Sequence, residues 1–225
     1  MIITPKNRLF TIAAAVAAIS VVSASSFAAP AKSKAPAARP AAKVVAKAPA
    51  KPALDGAWTV DAAHTSVNFS IKHMSISTVH GRFADVSGAI VANSKDLAKS
   101  SVQFTIKTDS ISTDQAQRDA HLKSADFFDV ATYPTITFQS TKIVKTDAGY
   151  TAIGNLTMHG VTKVIRLPFT IEGPAEFPAG TLRFGLAAST TIKRSDYGVG
   201  STKFTAVLGD DVPVDISLEA TQTKK

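Results

Sequence analysis

The chain contains no cysteine among its 225 residues. That absence excludes disulfide staples, thiol catalysis, cysteine-ligated metal centres, and a lipoprotein anchor, which needs a thiol at the processed N-terminus. A folded domain must hold by burial alone or with help from a ligand. The five histidines, His64, His73, His80, His121 and His159, form no His-x-His, His-x-x-x-His or His-Glu-x-x-His pattern. A zinc or copper site would have to gather ligands from separate strands, so no metal is expected. Also missing are a Gly-x-Ser-x-Gly elbow, a phosphate-cradling glycine loop and a carboxylate pair in plainly contrasting surroundings. Ser66, Ser124 and Ser195 beside His and Asp can be assembled into a triad only on paper, and no enzyme activity is expected. Acids are absent from one region: residues 1–53 carry eight Lys or Arg and no Asp or Glu, although the whole chain has 25 bases and 17 acids. From Leu54 onward 17 bases face 17 acids. The overall charge of +8 therefore belongs to the N-terminal segment, and the remainder lacks the electrostatic footprint of a nucleic-acid binder.

Long hydrophobic runs are scarce too. The prominent one, Leu9–Val22, follows Lys6 and Arg8 and ends in Ser23-Ala24-Ser25-Ser26-Phe27-Ala28-Ala29. It is short for a membrane span, and Ser26-Phe27-Ala28 offers a small-x-small cleavage pattern, so residues 1–28 read as a secretory signal peptide. No later stretch is apolar enough to cross a bilayer. Residues 29–53 are almost wholly Ala, Pro and Lys, with Pro30, Pro36, Pro40, Pro49 and Pro52 opposing helix; this composition predicts a disordered basic tail. Its lysines suit electrostatic contact with anionic lipid or cell-wall polymer, and a solubilising spacer is the other reading.

What remains, residues 54–223, has the size of one barrel or sandwich and no internal linker. Its dominant signal is alternation of period two, as in Val67-Asn68-Phe69-Ser70-Ile71 and Val102-Gln103-Phe104-Thr105-Ile106. Such segments are half-buried strands. Turn residues at Val86-Ser87-Gly88, Asp147-Ala148-Gly149 and Glu172-Gly173-Pro174 point to an antiparallel meander, and Thr157-Met158-His159-Gly160-Val161 to a tight turn. Between Asp114 and Val130 the apolar spacing becomes helical, which predicts a short helix across one end. One face of the strands is large and apolar, with Phe69, Phe83, Phe104, Phe138, Phe169 and Phe184, while the other carries Ser, Thr, Asn, Gln and Lys. The fold class is all-β with one helical segment and about eight strands. Periodicity leaves open a sandwich or a barrel, and a solid core or a lined cavity.

Several stretches carry a resemblance. They are Trp58–Met74 with Gly81-Arg82-Phe83, Arg118-Asp119-Ala120-His121-Leu122 continuing to Phe127-Phe128-Asp129, Tyr133–Phe138, Gly154–Lys163, and Arg194-Ser195-Asp196-Tyr197-Gly198. In this order and spacing they resemble the YceI-like family, from about Gly56 to Ala220. The resemblance implies an antiparallel lipocalin-like β-barrel that holds a polyisoprenoid, an isoprenoid quinone or a similar lipid, in proteins often exported to the bacterial periplasm. Two features depart from the usual family pattern: Asn155, where an acid is common, and the basic tail.

Under that reading Phe69, Ile71, Phe104, Ile106, Phe138, Leu156, Leu167, Phe169, Phe184 and Leu186 line the ligand, and Phe127 and Phe128 shape the mouth. Arg118 and His121 are candidates for head-group contact, with a hydrogen-bond network that fixes the helix as the alternative role for His121. Arg118/Asp119 and Arg194/Asp196 read first as ion pairs that stiffen loops. The ligand replaces any turnover cofactor. A solid barrel that binds a protein or wall partner through its surface and tail is the competing class, and pairing of two barrels as a homodimer is left open.

Overall fold

The computed structural model describes residues 53–200 and 202–223. The expected signal peptide, and the basic tail up to residue 52, lie outside the described residues. The elements in chain order are β1 (Gly56–His73), β2 (Ser77–Phe83), β3 (Val86–Ala92), β4 (Ser101–Lys107), β5 (Ile111–Ser112), α1 (Ala116–Lys123), β6 (Thr135–Thr146), β7 (Gly149–Met158), β8 (Val161–Glu176), β9 (Thr181–Lys193) and β10 (Asp211–Thr223).

All pairings are antiparallel, and β10 returns to β1, so the sheet closes into a barrel of eight staves. β2 and β3 form one broken stave along β1: Phe69 pairs with Gly81 on β2, and Trp58 with Ile90 on β3. β5 extends the sheet from β2, with Phe83 opposite Ile111. Closure leaves no long edge to aggregate, which a secondary structure of alternating strands otherwise exposes.

Irregularities aim the side chains. Between Asp61 and Ser66 β1 advances five residues while β10 moves only from Glu219 to Ser217. The odd surplus flips the inward face, so Trp58 and Val60 point inside before the bulge and Val67, Phe69 and Ile71 after it. Two of the expected turns are not turns. Val86-Ser87-Gly88 lies inside β3, because Gly88 serves a close approach: a Cβ there would sit 2.6 Å from the Phe104 ring. Glu172-Gly173-Pro174 lies inside β8 at a bulge, where Gly173 takes φ +97°. The expected turn at Asp147-Ala148-Gly149 does join β6 to β7, and His159-Gly160, with φ +50° and +75°, joins β7 to β8.

The helix is shorter than the expected Asp114–Val130. Gln115 caps it by accepting from the Arg118 amide, and Ser124 ends it by donating its amide and hydroxyl to the His121 carbonyl. The chain then turns through Asp129, with φ +43°, and Phe127 is buried.

At one end the barrel is solid. Trp58, Val60, Ile90, Val102, Ile143, Leu182, Phe184 and Leu218 fill it, and the small Ala152 and Ala220 make room. Trp58 meets Phe184 edge to face at 4.8 Å and donates its indole N–H to the Leu54 carbonyl at 2.7 Å, so its buried nitrogen is satisfied.

Candidate functional site

The other end is hollow. A cavity of about 470 Å³ lies between the packed plug and the loops that carry α1 and residues 194–210. Phe104 and Phe138, cross-strand partners on β4 and β6, form its floor with Leu167 and Leu218, each of which also packs in the plug. Phe69, Ile71, Val86, Ile106, Ile136, Leu156, Met158, Ile165, Val214 and Ile216 make the wall. Leu122, Phe127, Phe128 and Phe204 close over it, with Phe127 and Phe204 stacked at 4.8 Å. The lining members that reach the surface, Arg118, His121 and Val207, all lie at this loop end, which locates the mouth.

Of the residues singled out from sequence, the structure brings Phe69, Ile71, Phe104, Ile106, Phe127, Phe128, Phe138, Leu156 and Leu167 to the cavity, together with Arg118 and His121. It does not bring Phe169, Phe184 or Leu186, which belong to the plug. Their registers explain the difference. Phe184 pairs with Ala220, Leu186 with Leu218, and Phe169 with Ala188, all at or beyond the floor, and Phe169 stacks on Tyr150 at 5.4 Å. Alternation identifies the inward face but not the height along the barrel axis. Sequence reasoning missed wall residues of β10, although Val212-Pro213-Val214-Asp215-Ile216 alternates clearly. It also missed Val199, Phe204, Val207 and Leu208, whose irregular loop offers no periodic signal.

Two arginines touch the cavity in different ways. Arg194 is only 5% exposed, and among the described residues its guanidinium bonds backbone carbonyls and no carboxylate. It donates from Nε to the Gly209 carbonyl at 3.0 Å and from Nη1 to Val199 at 3.0 Å and to Gly200; Nη2 lies 3.5 Å from the Leu208 carbonyl. One cation thus ties both limbs of the loop that caps the barrel. Arg118 is exposed at the mouth, with Nε on the Thr113 hydroxyl at 2.7 Å and Nη2 on the Thr113 carbonyl at 2.9 Å. The expected Arg118–Asp119 and Arg194–Asp196 ion pairs do not form. Thr113 stands between the first two, donating its amide to Asp119 at 2.8 Å, and Asp196 pairs instead with Lys163 at 2.7 Å.

His121 holds Asp126 at 3.1 Å, and Lys203 binds the other oxygen of the same carboxylate. Lys203 first and His121 second keep the Asp126 carboxyl below its ordinary pKa. His121 therefore sits in a network that links α1 to residues 202–204, while its ring edge packs on Phe127 at 5.0 Å. Asp210 accepts from the Ser195 amide at 3.0 Å and hydroxyl at 2.8 Å, which also lowers its pKa. Tyr197 is buried beside Phe127 and Val199; burial first and Asp196 second push its phenol upward.

One carboxylate–histidine cluster lies away from the cavity lining. Asp61, His64 and Glu219 bring candidate ligand atoms within 4.8 Å of one another at the β1 bulge. Arg183 bonds both carboxylates, to Asp61 at 3.1 Å and to Glu219, so the group is an ionic tie between β1, β9 and β10. His64, followed by Arg183, holds the Asp61 carboxyl low. As for the serines, the Ser195 hydroxyl donates to Asp210, that of Ser124 to a carbonyl, and that of Ser66 accepts from Asn68. Among the described residues none of the three bonds a histidine ring.

Comparison with known proteins places this geometry in context. The family profile described as "YceI-like domain" matches residues 58–220. A UPF0312 protein of Yersinia pestis is 35% identical over 164 residues, covering 73% of this chain and 84% of the relative. Among solved structures, Burkholderia cenocepacia BcnA superposes with a TM-score of 0.62 at 28% identity, covering 71% of this chain and 98% of that one. A domain from Saccharophagus degradans, described as polyisoprenoid binding and implicated in plant cell wall breakdown, shares the fold with a TM-score of 0.54 at 21% identity. The match covers 72% of this chain and 97% of that domain. Among the described residues no helix is long and apolar enough to cross a membrane.

Proposed function

This chain belongs to the YceI-like family, and from that premise we propose that it is a binding protein that carries an apolar isoprenoid lipid, a polyisoprenoid or an isoprenoid quinone, through the periplasm. The observation that carries the reading is the cavity itself: 470 Å³, walled by apolar side chains, blocked by the Trp58–Phe184 plug and lined at its loop end by the exposed Arg118, His121 and Val207. A water-sized group takes about 30 Å³, so the space suits on the order of fifteen carbons, roughly three isoprene units. At ~0.8 kcal/mol per buried CH₂ the gross gain is on the order of 10 kcal/mol before the cost of immobilising the ligand. A longer chain continues out of the mouth.

The polyisoprenoid-binding description of the Saccharophagus domain supports the ligand class through a shared fold. In this reading the ligand's polar head stays at the mouth, where Arg118 has guanidinium Nη1 outside its two bonds to Thr113. The protein shields the chain from water and performs no chemistry on it.

Native mass spectrometry of the mature protein isolated from its own cell envelope, followed by organic extraction, tests the proposal. A stoichiometric prenyl lipid or quinone is the expected result. A protein that emerges empty and takes up no added prenyl lipid would sink it.

A further inference from the structure

Most exposed large apolar side chains of the domain stand singly, as surfaces allow, but three share one place. Met74 and Ile76 form the tip of the β1–β2 hairpin, and Val207 belongs to the capping loop; they are 54%, 83% and 37% exposed. The two segments are fastened together. Met74 donates its amide to Val207 at 2.7 Å, Gly209 donates to Lys72 at 2.8 Å, and His73 bridges Leu208. The tip is a tight turn in which Met74 and Ser75 both take left-handed φ, +52° and +58°. Glycine or asparagine suits those angles better, so an apolar side chain is held at the tip against the local backbone preference.

The patch is continuous with the cavity, since His73 and Val207, its immediate neighbour and its own member, line the interior. Around it the charges favour an anionic partner. Lys72, opposite Thr78 beside the tip, is exposed and among the described residues bonds the Thr78 hydroxyl and no carboxylate. We infer that this rim is a membrane-docking surface: the barrel sets its mouth on an anionic phospholipid bilayer, with Ile76 and Met74 in the interface and Lys72 at the phosphates. A lipid surface is the occupant because an apolar chain leaving the mouth there would pass from barrel to bilayer along an apolar rim without crossing water. This rests on the carrier reading. Shallow insertion of a few apolar side chains beside basic residues is a recognised mode of interfacial binding.

The test uses the mature chain and flotation with phosphatidylcholine vesicles, with and without phosphatidylglycerol, at moderate salt, beside a variant lacking residues 29–53 that separates out contact through the basic N-terminal segment. Met74→Ser/Ile76→Ser is expected to weaken binding on the order of tenfold, the loss of one well-buried aliphatic contact. An Ile76→Trp variant reports independently: its emission should shift to the blue when vesicles are added, whereas Trp58, deep in the plug, should not respond. Equal flotation of the double variant and wild type, or an unshifted Ile76→Trp emission, would overturn the inference. Organic extraction of the same samples keeps the two readings apart. Lipid present without flotation refutes docking alone, and absence of lipid with intact flotation refutes the carrier reading alone.

Discussion

Replacing Arg194 by Met should release the loop that caps the cavity. The guanidinium is buried, and it joins the carbonyls of Val199 and Gly200 on one limb to those of Gly209 and Leu208 on the other. A hydrogen bond to a charged donor contributes about 1.5–3 kcal/mol, and carbonyls left buried without a partner add a penalty of their own. The bonds share one side chain and do not sum independently, so a loss of about 3–5 kcal/mol is expected, the range for breaking a buried charged contact. For a domain of this size that corresponds to a fall in Tm of roughly 10 °C. Arg194→Lys keeps the charge but offers a point donor in place of the fork, and should recover less than half of the loss. Hydrogen exchange localises the effect: the amides of Val199, which donates to Arg194, and of Leu208, which donates to Phe204, should lose protection before the strands do. Arg194→Met with unchanged loop exchange and a Tm within about 2 °C of wild type would refute the assignment of Arg194 as the tie, because the lost bonds should move Tm further.

Further outcomes follow from the two halves of the barrel. Ile71→Asp places a carboxylate on the mouth-side wall, where water can reach it, and should abolish retention of the extracted lipid while the circular dichroism stays native. Deleting residues 29–53 should leave retention intact. Phe184→Ala hollows the plug and should cost about 3–5 kcal/mol in denaturant unfolding, yet the folded protein should still retain lipid, since Phe184 lies beyond the cavity floor. Acid acts on the cap. The Asp210 carboxyl is held low by Ser195, so its contribution is present at neutral pH and is lost as pH falls through the depressed value, below about pH 4. NMR of the Ser195 amide should follow that titration, and the step should vanish in Asp210→Asn.

Much of this could be read along the chain. Strict alternation in Val67–Ile71 and Val102–Ile106 names the inward side chains because successive residues of a strand face opposite ways, and the absence of cysteine excludes the stapled alternatives. The short helix announces itself by a change of period. The motif stretches place the chain in its family before any coordinates are considered. Glycine proved ambiguous: Gly88 and Gly173 read as turns, yet one admits the Phe104 ring and the other a bulge, and a sequence shows only that a Cβ is missing, not what fills its space.

Sequence alone thus determined an all-β domain, its inward face and its family, since these depend on local period and on motif identity. Tertiary structure decided which inward residues meet a ligand space and which make the plug. Phe138 and Phe184 carry the same signature on their strands, but one forms the floor of the cavity and the other packs against Trp58 beneath it. Height along the barrel is set by strand register and by the five-for-two slip of β1 against β10, which are relations between distant segments. The mouth depends in the same way on Arg194 reaching carbonyls at 199–200 and 208–209, a closure that no repeating pattern announces.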